Sequence, residues 1–340
     1  MLKRICCLSL VLLMASLACA APPKPAKAPK PPKKYPETTD PAEARKDPDF
    51  AIQGEYIGYG TLQGQSGQVG AQVIALGGGN FKAALYQGGL PGAGWKRGQK
   101  KLELSGQRKD KEVVLAAAGI EAAIDVQGLR LGSADGKTKA ALRRAERESP
   151  TLGQKPPQGA IVLFDGKGPE HFPENHGVSP ERNLIAGATS EPLPERYHLH
   201  LEFRLSYMPT ALGQARSNSG VYIGDCYEIQ VLDSFGLEGR NNECGGFYSI
   251  KEPEVNMCLP PLAWQTYDID FSGPKYDAAG KKVANARITV LHNGVPIHEK
   301  MELPKDTPGR KKEGPGARPI HLQGHGCHVQ FRNIWLVPKP

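Results

Sequence analysis

Residues 197–205 read Tyr-His-Leu-His-Leu-Glu-Phe-Arg-Leu. Leu199, Leu201, Phe203 and Leu205 fall on one side of an extended chain, and His198, His200, Glu202 and Arg204 on the other. Period two marks a half-buried strand. Ala160–Phe164 lies before it. Gly220–Ile223, Tyr227–Leu232, Trp264–Phe271, Arg287–His292, Val295–Glu299, Pro319–Leu322 and Val329–Val337 follow. Asn293-Gly294 joins two of these runs by a two-residue turn that needs φ > 0. No amphipathic helix interrupts the series, so a sandwich of antiparallel sheets is expected over 159–340.

Upstream, residues 49–148 read as a small β domain. Short extended runs at Glu55–Leu62, Val69–Leu76, Asn80–Gln87, Lys101–Ser105, Glu112–Ala117, Ala122–Val126 and Leu129–Leu131 alternate with Gly-rich turns. Gly77-Gly78-Gly79 resembles a phosphate loop only in composition, because no predicted helix follows to hold an anion at its N-terminus. Lys137–Arg147 is basic and reads as a helix. Pro150, Pro156 and Pro157 mark 149–158 as a linker, and the Pro, Lys and Ala of 21–48 read as a solvated, semi-extended spacer. The whole chain is therefore expected to be all-β.

Composition agrees. Gly and Pro contribute 40 and 30 of 340 residues without a Gly-X-Y period, which excludes collagen and favours a loop-rich β protein. The net charge of +8 is concentrated at one end. Lys3, Arg4, Lys24, Lys27, Lys30, Lys33 and Lys34 supply all but one unit of it. The remainder is near neutral, so no nucleic-acid partner is expected. The Lys-rich spacer suits peripheral contact with an anionic envelope surface.

The first 20 residues read as an export signal: basic Met1–Arg4, apolar Ile5–Ala18, then small residues with cleavage after Ala20. A secreted or periplasmic location follows. A lipoprotein beginning at Cys19 is less supported, because Ser16 stands where such signals usually carry Leu. The chain then keeps Cys226, Cys244, Cys258 and Cys327, an even number that suggests two disulfides. The preferred pairing is Cys244–Cys258, which closes a long Gly- and Pro-rich loop, and Cys226–Cys327. Free thiols at Cys226 and Cys327 are the alternative.

Seven motifs stand in order over about residues 158–338: Leu163-Phe164-Asp165-Gly166-Lys167, Leu201-Glu202-Phe203-Arg204-Leu205, Ser217-Asn218-Ser219-Gly220-Val221-Tyr222, Tyr227-Glu228-Ile229-Gln230-Val231-Leu232-Asp233, Trp264-Gln265-Thr266-Tyr267-Asp268-Ile269, His292-Asn293-Gly294-Val295 and Phe331-Arg332-Asn333-Ile334-Trp335. This half resembles the 3-keto-disaccharide hydrolase domain family. The resemblance implies a concanavalin-like jelly-roll β-sandwich and action on 3-keto glycosides. Two stretches depart from the family. Gly168-Pro169-Glu170-His171-Phe172 stands where Gly-Trp is usual, and Gly324 replaces a polar residue before His325.

Alternation along Tyr227–Asp233 sends Glu228 and Gln230 to one face. An ordinary glycosidase needs two carboxyls about 5–10 Å apart, and this face supplies one. A 3-keto sugar relaxes that need. The ketone acidifies the C2 proton, one base removes it, and the enolate expels the C1 substituent. Subsequent addition of water gives net hydrolysis. His325 is the candidate base, since an unperturbed His titrates near pH 6.5. Glu228 is a candidate acid or base. Arg216 is the candidate for holding the enolate oxygen, with a divalent cation as the alternative. Asn218, Gln230 and Gln323 are candidate sugar ligands, and Trp264 a candidate stacking platform. No metal-ligand set is assigned. His321, Gln323 and His325 share one side if their strand continues. His198, His200, Glu202, Asp268 and Asp270 read as solvated. A non-catalytic carbohydrate-binding module, which Gly324 favours, and an envelope structural protein are the alternative functions.

Overall fold

The computed structural model describes residues 35–340 as one compact unit. The export signal of 1–20 and the lysines of 21–34 lie outside the described residues. Residues 35–48 are not an extended spacer. They carry helix α1 (Pro41–Ala44) and lead into α2 (Pro48–Ile52). Asp40 and Asp47 cap these helices, each followed directly by Pro, the arrangement that suits a helix start.

Eight antiparallel strands then close a barrel: β1 (Gly54–Leu62), β2 (Gln65–Ala75), β3 (Asn80–Gln87), β4 (Lys101–Lys109), β5 (Glu112–Ala117), β6 (Ile120–Asp125), β7 (Gly128–Ser133) and β8 (Lys139–Ala145). The helix expected at 137–147 is strand β8 instead. Ala140 and Leu142 alternate inward there, and β8 pairs with both β1 and β7, which leaves no sheet edge. Val69, Ala71, Val73, Phe81, Leu85, Leu104 and Leu115 are among the side chains that fill the interior. Outward-facing Ile74, Ala84 and Tyr86, with Trp95, join the core of the following sandwich.

That sandwich is all-β and jelly-roll in type. Its larger sheet runs β9 (Ile161–Phe164), β19 (Gln330–Pro338), β12 (Arg196–Arg204), β15 (Trp264–Ser272), β16 (Ala286–His292) and β17 (Val295–Leu303), with β10 (Leu184–Ile185) also on β19. The smaller sheet runs β11 (Ala188–Thr189), β18 (His321–Leu322), β13 (Asn218–Ile223) and β14 (Tyr227–Leu232). Leu199, Leu201 and Phe203 of β12 meet Val221, Ile223, Ile229 and Val231 of the smaller sheet in one apolar layer.

The polar face of β12 is not solvated as its sequence suggests. His200, Glu202 and Asp268 are buried. Residues 149–154 lie across them. Thr151 donates to Asp268, and the backbone N–H of Gly153 donates to Glu202 at 2.6 Å. Gln154 accepts from Asn333 and Trp335. His198 and Asp270 do remain partly exposed, paired at 2.9 Å.

Candidate functional site

Pairing register builds the site. Glu174 sits opposite Thr189, Thr189 opposite His321, His321 opposite Tyr222, and Tyr222 opposite Glu228. Cross-strand partners share a face, so one row crosses the outer, polar face of the smaller sheet. Gln230 lies opposite Gly220 in the next row, and the Gln323 N–H donates to the Gly220 carbonyl. The inward residues of the same strands, Val221, Ile223, Ile229 and Val231, are core. The alternation that makes the strands amphipathic therefore also assembles the site.

Glu228 is 3% exposed. Its carboxyl lies over Gly220, where an added Cβ would stand 2.3 Å from Oε1. Only glycine leaves room for it. Burial pushes this carboxyl up to about 7, and the Tyr222 hydroxyl offsets part of that rise. Among the described residues no Lys or Arg pairs with it. His321 is held down to about 4, chiefly by burial and then by the positive charge of Arg310. It is therefore a neutral ring at pH 7, with Nδ1 2.9 Å from the Thr189 hydroxyl. Gln323 Nε2 donates to the Tyr222 hydroxyl at 3.3 Å.

Asn218 and Gln230 are brought together. Gln230 donates to Asn218 at 3.1 Å, and Asn218 donates to Gln214. Tyr248 flanks the far side, its backbone N–H donating to the Glu228 carbonyl. Sequence alone gives Tyr222, Gln214, Thr189 and Tyr248 no role, and names His321 only as a member of the polar cluster with Gln323 and His325. Tyr222 was recoverable, because Asn218, Gly220 and Tyr222 alternate onto one face. Gln214, Thr189 and Tyr248 depend on neighbours distant in the chain.

Two expected residues lie elsewhere. Arg216 is buried and stands 3.1 Å from Asp233, misaligned for a hydrogen bond, while its Nη2 reaches the Ala75 carbonyl of the barrel. Its ion pair lies within the sandwich half, and its side-chain hydrogen bond among the described residues reaches the barrel. Trp264 belongs to the larger sheet. Arg332 and Arg204 lie over its ring at 3.9 and 5.0 Å, so those guanidinium groups occupy the stacking position. His325 rides an exposed loop that leaves β18 at Gly220 and returns at Asn218, where Cys327 is bonded. Gly324 has a local cause. A Cβ there would be 3.2 Å from the His176 ring and 3.3 Å from Gly187, so His176 fills the space of a side chain.

Among the described residues Cys226, Cys244, Cys258 and Cys327 are free thiols. Cys226 bonds Ile223 at one end of β13, and Cys327 bonds Asn218 at the other. Five strand steps separate those anchors by about 16 Å. A disulfide needs Cα atoms about 4.4–6.8 Å apart, so Cys226–Cys327 is ruled out in this fold. Cys244 and Cys258 are buried neighbours whose thiols contact each other. No group of three or more His, Cys, Asp or Glu among the described residues is arranged to hold a metal ion.

No curated protein matches the chain. Two crystal structures from Parabacteroides distasonis, both provisionally assigned as glycosyl hydrolases, are similar. One has 27% identity and a TM-score of 0.49, covering 54% of this chain and 85% of its own. The other has 15% identity and a TM-score of 0.41, covering 54% and 95%. Residues 159–337, which hold every residue of the row around Glu228, match the 3-keto-alpha-glucoside-1,2-lyase-like domain, and the chain belongs to that carbohydrate-active family.

Proposed function

We propose that the chain cleaves 3-keto glycosides, with Glu228 as the base that takes the C2 proton. The observation that carries this is a buried carboxyl on a polar sheet face, with no cationic partner among the described residues, that burial pushes up to about 7. A base poised near the working pH transfers protons best. The C2–H bond breaks, its proton passes to Glu228, and the electron pair forms the C2–C3 enolate. The enolate then collapses. C1=C2 forms, the C1–O bond breaks and the ketone is restored. The proton on Glu228 returns to the leaving oxygen or to solvent. Water added across C1=C2 gives net hydrolysis.

Tyr222, whose hydroxyl burial keeps protonated, and neutral His321 stand beside the base in the same row. They replace Arg216 as candidates to hold the enolate oxygen. Asn218, Gln230, Gln214 and Gln323 suit neutral sugar hydroxyls. Glu174, four strand spacings along the row, is about 19 Å from Glu228. That is too far for the two-carboxyl mechanism, so the arrangement favours elimination.

The test is aglycone release from a 3-keto glucoside and from its unoxidised parent. Release from the 3-keto sugar alone, abolished in Glu228→Gln, is expected. Equal turnover of the parent glucoside would overturn the proposal. Export by the N-terminal apolar run belongs to the same proposal, and a mature N-terminus at Ala21 in the secreted fraction is its expected signature.

A further inference from the structure

The hairpin between β13 and β14 turns through Gly224, Asp225 and Cys226. Asp225 has φ of 58° and is 0% exposed. A buried aspartate in the left-handed region, at the tip of a hairpin, needs a reason. Its carboxylate accepts from Arg310 Nε at 2.6 Å and pairs with Lys311 at 3.1 Å, and its carbonyl accepts the Lys311 N–H. All three contacts go to one segment, residues 304–314, which runs from the end of β17 across the hairpin.

The middle of that segment reaches Glu228. Thr307 donates its N–H and its hydroxyl to the Cys226 carbonyl, and its Oγ1 accepts the Glu228 N–H at 2.8 Å. The Pro308 carbonyl lies 3.4 Å from the Tyr222 hydroxyl. Gly309 passes so close that a Cβ would stand 2.8 Å from that hydroxyl. Further along, Glu313 is held by Tyr227 and Lys282. The segment is a strap fastened on both sides of the point where it meets the Glu228 backbone N–H and the Tyr222 hydroxyl, the group beside the Glu228 carboxyl.

We infer that Asp225 is a positioning residue for Glu228: by fastening the strap 304–314 it keeps water from the carboxyl that removes the C2 proton. This rests on the proposed role of Glu228. Burial is the main cause of the raised Glu228 value, and Tyr222 is its other contributor. The remaining groups around this part of the row are His321, Tyr248, Arg310 and Asp225 itself. Opening the strap hydrates the carboxyl and returns it toward the ordinary carboxylate range.

The full chain, labelled with carbon-13 at the glutamate carboxyl, gives the titration of Glu228 by NMR, with Glu228→Gln identifying the signal. In the wild type a midpoint near 7 is expected. Asp225→Asn tolerates the same backbone conformation and is expected to lower that midpoint by at least about one unit. Arg310→Gln combined with Lys311→Gln opens the strap from the other side, and serves if Asp225→Asn does not fold. It removes two positive charges, which by charge alone would raise the Glu228 midpoint. A fall in this variant therefore identifies hydration as the cause. A midpoint unmoved in the folded variants overturns the inference and leaves the catalytic proposal standing. A lowered midpoint in these variants, together with a wild type that releases no aglycone, supports the strap and overturns the catalytic proposal. A wild-type midpoint near 4.5 overturns both.

Discussion

Glu202 and Glu228 make an instructive pair. Each lies on the outward face of its strand, Glu202 on interior β12 of the larger sheet and Glu228 on β14 at the edge of the smaller one, and they are 0% and 3% exposed. Burial pushes both carboxyls upward. Glu202 nevertheless sits at about 2, because His200, Asn333, Arg332 and the Gly153 N–H all favour its charge. Arg332 approaches to 2.6 Å and Asn333 to 2.9 Å, while His200 is an ionic neighbour at 3.8 Å, beyond hydrogen-bond reach. Among the described residues Glu228 has only Tyr222, and burial pushes it up to about 7. Partners, not depth, decide the sign. One face spends its carboxylate on holding the covering segment 149–154. The other keeps a carboxylate free to change charge.

The largest contrast is in activity. Glu228→Gln is expected to lower kcat/KM on a 3-keto glucoside by about 10³, the scale of lost general base catalysis. Glu202→Gln is expected to keep kcat within about threefold, since nothing places Glu202 near the row. It is expected instead to cost about 3 kcal/mol of stability, because Arg332 and His200 lose a buried partner. Urea unfolding and steady-state kinetics on both variants measure this. A folded Glu202→Gln protein without activity would erase the distinction between the two faces.

Stability should respond to pH with opposite signs. Glu202 has a folded value near 2 against 4.5 for the ordinary group. Its contribution is complete above about pH 4.5 and is lost as pH falls toward 2, a swing of up to about 3 kcal/mol. Glu228 has a folded value near 7 against 4.5. Its penalty is absent below about pH 4.5 and grows as pH rises toward 7, reaching about 3 kcal/mol above it. Glu228→Gln is therefore expected to be more stable than the wild type at pH 8 and equal to it at pH 4. A variant less stable at pH 8 would show that Glu228 has a partner absent from this account. His292 and His298, held at about 3 and 4 by burial, add acid lability of the conventional kind. Each favours the fold fully above about pH 6.5 and loses that contribution as pH falls toward its folded value.

Much of this was legible in the chain. The period-two stretch 197–205 announces β12, and the alternation in Tyr227–Asp233 places Glu228 and Gln230 on the polar face of β14. Local pattern carries that information because side chains alternate wherever a strand forms. What lies opposite a strand is not local. The burial of His200 and Asp268 depends on residues 149–154, over 40 positions away in the chain. The barrel carbonyl that draws Arg216 out of the site is 141 positions upstream. Charge in a sequence names a group that can pair, and only the fold names the partner. The Cys226–Cys327 expectation failed for a related reason: both residues border the site strands, but at opposite ends of β13.

The smallest expected effect separates the two sequence candidates for the base. An unperturbed His and a Glu raised to about 7 would give rate profiles with nearly the same acidic limb, so the midpoint alone does not distinguish them. Two measurements do. His325→Gln is expected to change kcat/KM by less than about threefold, because its ring is exposed and gains little pre-organisation from a glycine-flanked loop. The limb near 7 should survive in that variant, since Glu228 still titrates. Temperature gives the independent check. Imidazole releases its proton with a substantial enthalpy and a carboxyl with almost none, so warming lowers a histidine midpoint and scarcely moves a glutamate one. A limb that stays in place on warming identifies Glu228. A limb that falls on warming and vanishes in His325→Gln would return the base to His325 and leave Glu228 as the acid.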